Sequence, residues 1–279
     1  MPELPEVETV MQAVIKALGY ANIIDVRVNN NRFREKIPDD LADKIRGSKI
    51  IGYKRIAKYI TIALDNGLTL IWHLGMSGKI KICDELPAEL DKHDHVIIKT
   101  DKCYLIFNDA RRFGLLTYCE SKNLAHIPFI EKIGLDPFDE SLTPEYLHNH
   151  LSKKKIPIKV ALLDQEIICG IGNIYASEIL YLAKISPLRE SNKINLKECN
   201  TIIEKTREVL KKAIAAGGST IHDYKKPDGS LGYFQNMHCV YNKIGQKCPC
   251  CTCNVEQSGG IQKIVQAGRS TFYCPTVQK

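Results

Sequence analysis

The sequence begins without a secretion leader. The opening residues, Met1-Pro2-Glu3-Leu4-Pro5-Glu6-Val7-Glu8, show neither a basic stretch nor an apolar core, so they do not read as a targeting signal. No apolar run reaches the roughly eighteen residues that suggest a membrane span. Internal repeats, low-complexity tracts and heptads are absent too. These absences argue against a secreted or membrane-spanning chain and make a cytoplasmic monomer the expectation. Extreme charge is also missing: 39 Lys and Arg against 32 Asp and Glu give a net charge of +7. That excess is compatible with a polyanionic partner and does not establish one.

What is present is a chain of 279 residues, 44% hydrophobic, with eleven cysteines. The length suits one large or two modest domains. Cys83, Cys103, Cys119, Cys169, Cys199 and Cys239 are scattered, whereas five cysteines crowd the carboxy-terminal end. In a reducing compartment such a cluster points to metal rather than to disulfides.

Residues 6 to 18 place Val7, Val10, Met11, Val14, Ile15 and Leu18 at helical spacing, and Gly19 ends the run. From about residue 23 to 118 the pattern predicts short strands over Ile23-Val28, Lys49-Ile56, Tyr59-Leu64, Leu68-His73, His95-Thr100, Tyr104-Asn108 and Leu115-Tyr118. Asn66-Gly67 is a hairpin signal. Breakers at Gly134, Asp136-Pro137 and Thr143-Pro144 mark a linker over 131–144. Helices are expected from Thr143, over Pro157-Leu163, over Asn173-Ala183 and over Asn195-Ala216, with Gly217-Gly218 closing the last. The expected division is a β-rich domain over 1–130, the linker, a helical domain over 145–232 and a Cys-rich segment over 233–279.

Several constellations carry possible chemistry. Small Pro2 favours trimming of the initiator methionine, which exposes a secondary amine. Attack on a sugar aldehyde carbon then gives a cationic iminium, a strong electron sink. An α-amino group titrates near ~8, far below lysine. Glu3 beside it can shuttle protons. The same residues also suit a helix start, with Pro5 in the first turn and acidic side chains complementing the dipole.

Gly170-Ile171-Gly172-Asn173 is a glycine-rich turn into a helix, suited to phosphate or simply to a tight helix–helix turn. Lys153-Lys154-Lys155 and Lys159 lie just upstream, either as a solvated face or as backbone contacts to a nucleic acid. Lys58 on its own reads as an exposed strand lysine. His93, Asp94 and His95 read better as hydrogen-bonded side chains than as metal ligands. Arg111-Arg112-Phe113-Gly114 suits insertion into nucleic acid, or an Asp109–arginine pair over a packed Phe113.

Taken in order, Pro2-Glu3-Leu4-Pro5-Glu6, Lys58, His73-Leu74-Gly75-Met76-Ser77-Gly78, Lys92-His93-Asp94-His95, Arg111-Arg112-Phe113-Gly114, Gly172-Asn173-Ile174-Tyr175-Ala176-Ser177-Glu178 and Ala267-Gly268-Arg269 resemble the bacterial formamidopyrimidine-DNA glycosylase family. The likeness runs from residue 2 almost to the end. It implies an α+β chain: an amino-terminal β-sandwich with a leading helix, then a helix-two-turn-helix domain with a zinc-finger-like β-hairpin. It implies that Pro2 attacks C1′ of the damaged nucleotide, with Glu3 as acid/base, and that Lys58 serves elimination and holds phosphate. It implies phosphate contacts from His73, His93, Lys154, Lys159 and Asn173, and a gap-filling wedge of Met76, Arg111 and Phe113. Arg269 would hold flanking phosphates and assist δ-elimination. Glu6 and Glu178 would line the base pocket, and the 217–233 loop would cover the base. The implied partner is damaged double-stranded DNA.

One departure concerns the finger. The family carries two Cys-x-x-Cys pairs. Here the first is Cys248/Cys251 or Cys250/Cys253, whereas Cys274-Pro275-Thr276 leads to Val277 in place of the second cysteine of the other pair. Ser258-Gly259-Gly260 reads as an insertion. One zinc ion is expected, held by Cys248, Cys251 and Cys274 with Cys253 or Cys250 as the fourth ligand. A water in the fourth place, or a metal-free hairpin with Val277 packed apolar, are the other outcomes. The functional expectation is a glycosylase and AP lyase for oxidised purines. The competitors are an endonuclease VIII-type enzyme for oxidised pyrimidines and a non-catalytic binder of damaged DNA. Leu4 and the Arg111-Arg112-Phe113 wedge favour the purine enzyme.

Overall fold

The computed structural model describes residues 1–220, 227, 229–252 and 254–279. They form two compact units, residues 1–131 with 214–235, and residues 132–213 with 236–279. Among the described residues no helix is long and apolar enough to cross a membrane.

The first unit opens with helix α1 (Leu4–Leu18), whose Leu4, Val7, Val10, Met11, Val14 and Leu18 are buried. A short helix α2 (Leu41–Ile45) follows strand β1 (Ile23–Val28). Strands β2 (Ile50–Ile56), β3 (Tyr59–Leu64), β4 (Leu68–His73), β5 (Lys79–Cys83), β6 (Asp94–Thr100), β7 (Tyr104–Asn108) and β8 (Leu115–Glu120) complete it, with α3 at Pro128–Glu131. Two antiparallel four-stranded sheets result, ordered β1-β6-β7-β5 and β2-β3-β4-β8. Their inner faces and α1 share one core. Trp72 of β4 meets Phe107 of β7 edge-on, with ring centroids 5.1 Å apart. This is the expected β-sandwich with a leading helix.

The second unit carries α4 (Pro144–Leu151), α5 (Ile158–Leu162), α6 (Asn173–Leu182) and α7 (Leu196–Ala215, whose last two residues fall in the first unit). Thr143 caps α4 by accepting the Tyr146 N–H. Gln165 staples the turn between α5 and α6: its Oε1 accepts the Gly170 N–H at 2.9 Å, and its Nε2 donates to the carbonyls of Leu163 and Ile171. This is the helix-two-turn-helix. A short α8 (Val255–Ser258) precedes the hairpin β9 (Gln262–Gln266) and β10 (Arg269–Tyr273). Ala267 and Gly268, both at positive φ, form its two-residue turn.

The compact units fall along different lines from the expected domains, because residues 214–235 belong with the sandwich. Their tie to it is a buried hydrogen bond from the Ser219 N–H to Glu6 Oε1, at 2.7 Å. Gly218 sits at φ +77, where an added Cβ would lie 2.9 Å from that carboxylate oxygen.

Candidate functional site

In the sandwich unit the amino-terminal arm is packed rather than splayed. Pro2 and Glu3 are buried, and Met1 is exposed. Glu3 is the N-cap residue of α1 in a reciprocal capping box with Glu6, and the Glu3 N–H donates to Glu6 Oε2 at 2.8 Å. Glu6 thus uses one oxygen on the arm and the other on Ser219. It fixes the backbone that carries Pro2.

Lys58 lies in the two-residue turn between β2 and β3, after Ala57 at φ +53. It is buried rather than exposed. Arg55 supports this turn, donating to the Ala57 carbonyl at 3.1 Å and pairing with Glu8 of α1 at 2.7 Å. The start of α1 and the lysine turn are therefore tied through one guanidinium, a link that sequence reasoning missed.

His73 ends β4. Its Nδ1 accepts the Gly75 N–H at 3.0 Å, which leaves the proton on Nε2. Burial first and the Lys58 charge second depress His73 to about 4, against a smaller opposing pull from Asp109. At neutral pH it is a neutral donor. His93 is half-buried, its backbone N–H held by Asp91 Oδ1 at 2.7 Å.

Met76, Arg111 and Phe113 are exposed, and the Arg111 guanidinium lies over the Phe113 ring at 4.8 Å. The loops bearing them touch backbone to backbone. A Cβ on Gly75, itself at φ +60, would meet the Phe113 carbonyl carbon at 2.4 Å.

In the second unit Lys159 departs from its expectation as a phosphate contact. It is wholly buried on α5, and its ammonium donates to Asn173 Oδ1 instead of reaching solvent. Asn173, the first residue of α6, donates through Nδ2 to the Ser270 carbonyl at 2.8 Å and to the Tyr241 hydroxyl at 3.3 Å. Lys154 is paired with Asp164 at 2.7 Å. Arg269 is exposed at the start of β10. Glu178 is buried in α6 and accepts the N–H groups of Cys239, Val240 and Tyr241 at 2.6 to 2.9 Å. Its carboxylate organises that turn. Burial pushes its pKa up, partly offset by these three donors.

The buried sulfurs of Cys248, Cys251 and Cys274 lie within 4.8 Å of one another, and those of Cys251 and Cys274 are 4.0 Å apart. Tetrahedral zinc with Zn–S near 2.3 Å separates sulfurs by about 3.8 Å, so the spacing fits. Cys248, Cys250 and Cys274 are free thiols, whereas Cys251 is disulfide-bonded, so a metal would need Cys251 reduced. Cys250 is exposed, and its N–H donates to the Tyr181 hydroxyl at 3.0 Å. Cys253 lies outside the described residues. Val277 packs, partly buried, against the apolar cluster around the three sulfurs.

Residues 1–116 match the family description "Formamidopyrimidine-DNA glycosylase N-terminal domain" and residues 133–225 match "Formamidopyrimidine-DNA glycosylase H2TH domain". The formamidopyrimidine-DNA glycosylase of Rhodospirillum rubrum is 41% identical over 281 residues, with all of both chains covered. That of the Wolbachia symbiont of Brugia malayi is 42% identical over 279 residues, again across both chains. Among solved structures, Lactococcus lactis Fpg in complex with DNA containing an abasic site superposes with TM-score 0.90 at 35% identity over 99% of each chain. MutM bound to DNA containing carbocyclic 8-oxo-G gives 0.89 at 35% over the whole of each chain. The chain belongs to the formamidopyrimidine-DNA glycosylase family.

Proposed function

We propose that this protein is a base-excision repair DNA glycosylase and AP lyase. It removes oxidised purines, 8-oxoguanine and formamidopyrimidines, from duplex DNA. The observation that carries this reading is the amino-terminal arm: Pro2 and Glu3 are buried at the start of α1 and locked through Glu6. With Met1 removed, the Pro2 nitrogen attacks C1′ of the damaged nucleotide. The C1′–N9 bond breaks, and the base leaves with its electron pair and a proton relayed by Glu3. The proline nitrogen sheds its proton and lends its lone pair to C1′ as the C1′–O4′ bond breaks; O4′ leaves with the bonding pair, takes a proton and becomes a hydroxyl, and the iminium forms. Its positive charge acidifies the C2′ proton; removal of that proton expels the 3′ phosphate by β-elimination, and a second elimination expels the 5′ phosphate. Lys58, next to neutral His73, suits phosphate binding and proton handling in these steps.

The target atom is inaccessible inside the duplex, so the nucleotide must be extruded at a cost of a few kcal/mol. Met76, Arg111 and Phe113 fill the gap and offset part of it, with Arg111 reading the orphaned cytosine. Arg269 holds flanking phosphates. At α6 the Asn173 side chain is already engaged, so backbone N–H groups of its first turn carry phosphate binding there. Cys248, Cys251 and Cys274 would hold a zinc ion once reduced, with a fourth ligand from Cys250 or Cys253. Its contribution is structural, holding the hairpin that bears Arg269.

The test is borohydride trapping on a duplex with 8-oxoguanine opposite cytosine, against one with thymine glycol. A covalent adduct mapped to Pro2 by mass spectrometry, formed faster on 8-oxoguanine, is expected. An adduct on another residue, or none, overturns the proposal.

A further inference from the structure

Asp109 sits wholly buried between the loops that carry the wedge, and among the described residues no cation pairs with it. Neutral donors surround its carboxylate instead. Oδ1 accepts the Ser77 hydroxyl at 2.6 Å and the Arg111 N–H at 3.3 Å, and Oδ2 accepts the Gly114 N–H at 2.8 Å. Its backbone continues the pattern. The Asp109 N–H donates to the His93 carbonyl at 3.1 Å, and its own carbonyl accepts the Arg112 N–H at 3.2 Å and faces His95 Nε2 at 3.0 Å. One residue thus joins the Met76 loop through Ser77, the Arg111–Phe113 loop at both of its ends, and the strand edge that bears His93.

The chemistry of this cage is specific. A carboxylate offers acceptor sites on both oxygens and no donor. Three N–H or O–H groups from two loops converge on it. Leaving even one buried donor unsatisfied is expensive, so the loops are held in one mutual arrangement. Gly75 and Gly114 let them close: a Cβ on Gly114 would meet the His73 carbonyl oxygen at 2.9 Å and Asp109 Oδ2 at 3.0 Å. The three exposed side chains Met76, Arg111 and Phe113 project from this shared base.

We infer that Asp109 is a positioning residue for nucleotide extrusion: it presets the two loops so that Met76, Arg111 and Phe113 enter the helix together. This rests on the glycosylase reading above. Asp109 touches no reacting atom, so its loss should fall on extrusion and spare the Pro2 chemistry. In Asp109→Asn the side-chain amide presents one oxygen and one NH2 to three donors. With the amide oxygen toward Gly114, Ser77 Oγ must accept from the NH2 as well as from the Arg111 N–H, which it already takes at 3.2 Å, and the Ser77 hydroxyl proton loses its acceptor; with the amide turned over, the Gly114 N–H loses its own.

The test is Asp109→Asn in the full chain, under single-turnover conditions. One duplex carries 8-oxoguanine opposite cytosine, the other a preformed abasic site, which has no base to extrude. A 2-aminopurine beside the orphaned cytosine reports unstacking as the wedge enters. Excision of 8-oxoguanine should fall about tenfold or more, while abasic-site cleavage falls less than about threefold and the fluorescence rise shrinks. A purely structural role would lower both rates together. Equal losses, or excision unchanged, overturn the inference. Ser77→Ala removes one donor to the carboxylate and one of the two acceptors of the Arg111 N–H but leaves the carboxylate intact, so it should show the same pattern at about threefold. Should Asp109→Asn not fold, an unshifted ratio in Ser77→Ala overturns the inference. Absence of a trapped adduct in the unsubstituted protein would instead sink the glycosylase reading.

Discussion

Asp109 in the first unit and Glu178 in the second are both buried carboxylates that gather neutral donors, yet they hold different things. Asp109 collects one hydroxyl and two backbone N–H groups from loops whose side chains face solvent. Glu178 collects three consecutive backbone N–H groups of the 239–241 turn, whose Val240 is buried and whose Tyr241 packs edge-on against Phe272 of β10 at 4.9 Å. The same device therefore serves two ends. Where the clamped loop carries exposed side chains, the clamp sets the geometry offered to a ligand. Where the clamped turn faces the interior, it sets stability.

The sharpest break between the two is Glu178→Ala. Three N–H groups, one buried and two half-buried, lose their acceptor at once, at about 1–3 kcal/mol each. A loss of roughly 3–6 kcal/mol is a large share of a domain's stability of about 5–15 kcal/mol. The thermal midpoint should drop much further than for Asp109→Asn. If Asp109→Asn proves the more destabilising of the pair, the contrast fails.

A pH titration sharpens the contrast at lower cost to the fold. Among the described residues each unit has one histidine depressed to about 4, by burial first and a nearby lysine second: Lys58 for His73 and Lys243 for His238. A folded value below the ordinary ~6.5 stabilises the fold above that pH. The contribution is lost as pH falls from about 6.5 toward about 4. Urea midpoints should therefore decline over that window, by of order 1–3 kcal/mol per histidine. His238 is nearly fully buried and His73 half-buried, so His238→Leu should flatten the decline more than His73→Leu. The reverse order would assign the acid sensitivity to the wrong unit.

The smallest effect should come from Val277→Cys. A sulfur at position 277 would compete with Cys250 or Cys253 for the fourth place beside Cys248, Cys251 and Cys274. In reduced protein, cobalt should give a stronger thiolate charge-transfer band and resist a competing chelator better than in the unsubstituted chain, with the first unit's stability unchanged. Identical affinity in both proteins would mean that position 277 lies out of reach of the metal.

Much of the sandwich was legible because its strands are short apolar runs rich in β-branched and aromatic residues and bounded by turn signals. Tyr59–Leu64, Leu68–His73 and Tyr104–Asn108 fall where the pattern predicts. Strand β5 (Lys79–Cys83) and the five-residue α2 were missed, since runs that short carry little periodicity. The affiliation of residues 214–235 was invisible because it depends on pairings such as Ser219 with Glu6, far apart in sequence. For the site, the motifs named Met76, Arg111 and Phe113 but placed Asp109 only as an arginine partner, whereas its carboxylate takes neutral donors, and they did not name Arg55. Lys159 misled because a lysine in a basic run looks solvated, and only packing reveals it as a buried donor to Asn173. The cysteine spacing left two first pairs open; among the described residues the fold brings Cys248, Cys251 and Cys274 together, and Cys253 lies outside those residues.

The bond from Ser219 to Glu6 spans 213 positions of the chain. Ribosomes build the amino terminus first. The arm is thus the earliest part made and among the last completed, because its anchoring carboxylate gains its second partner only when more than three-quarters of the polypeptide has emerged. An abortive translation product ending before that point would carry Pro2 and Glu3 without the lock that seats them.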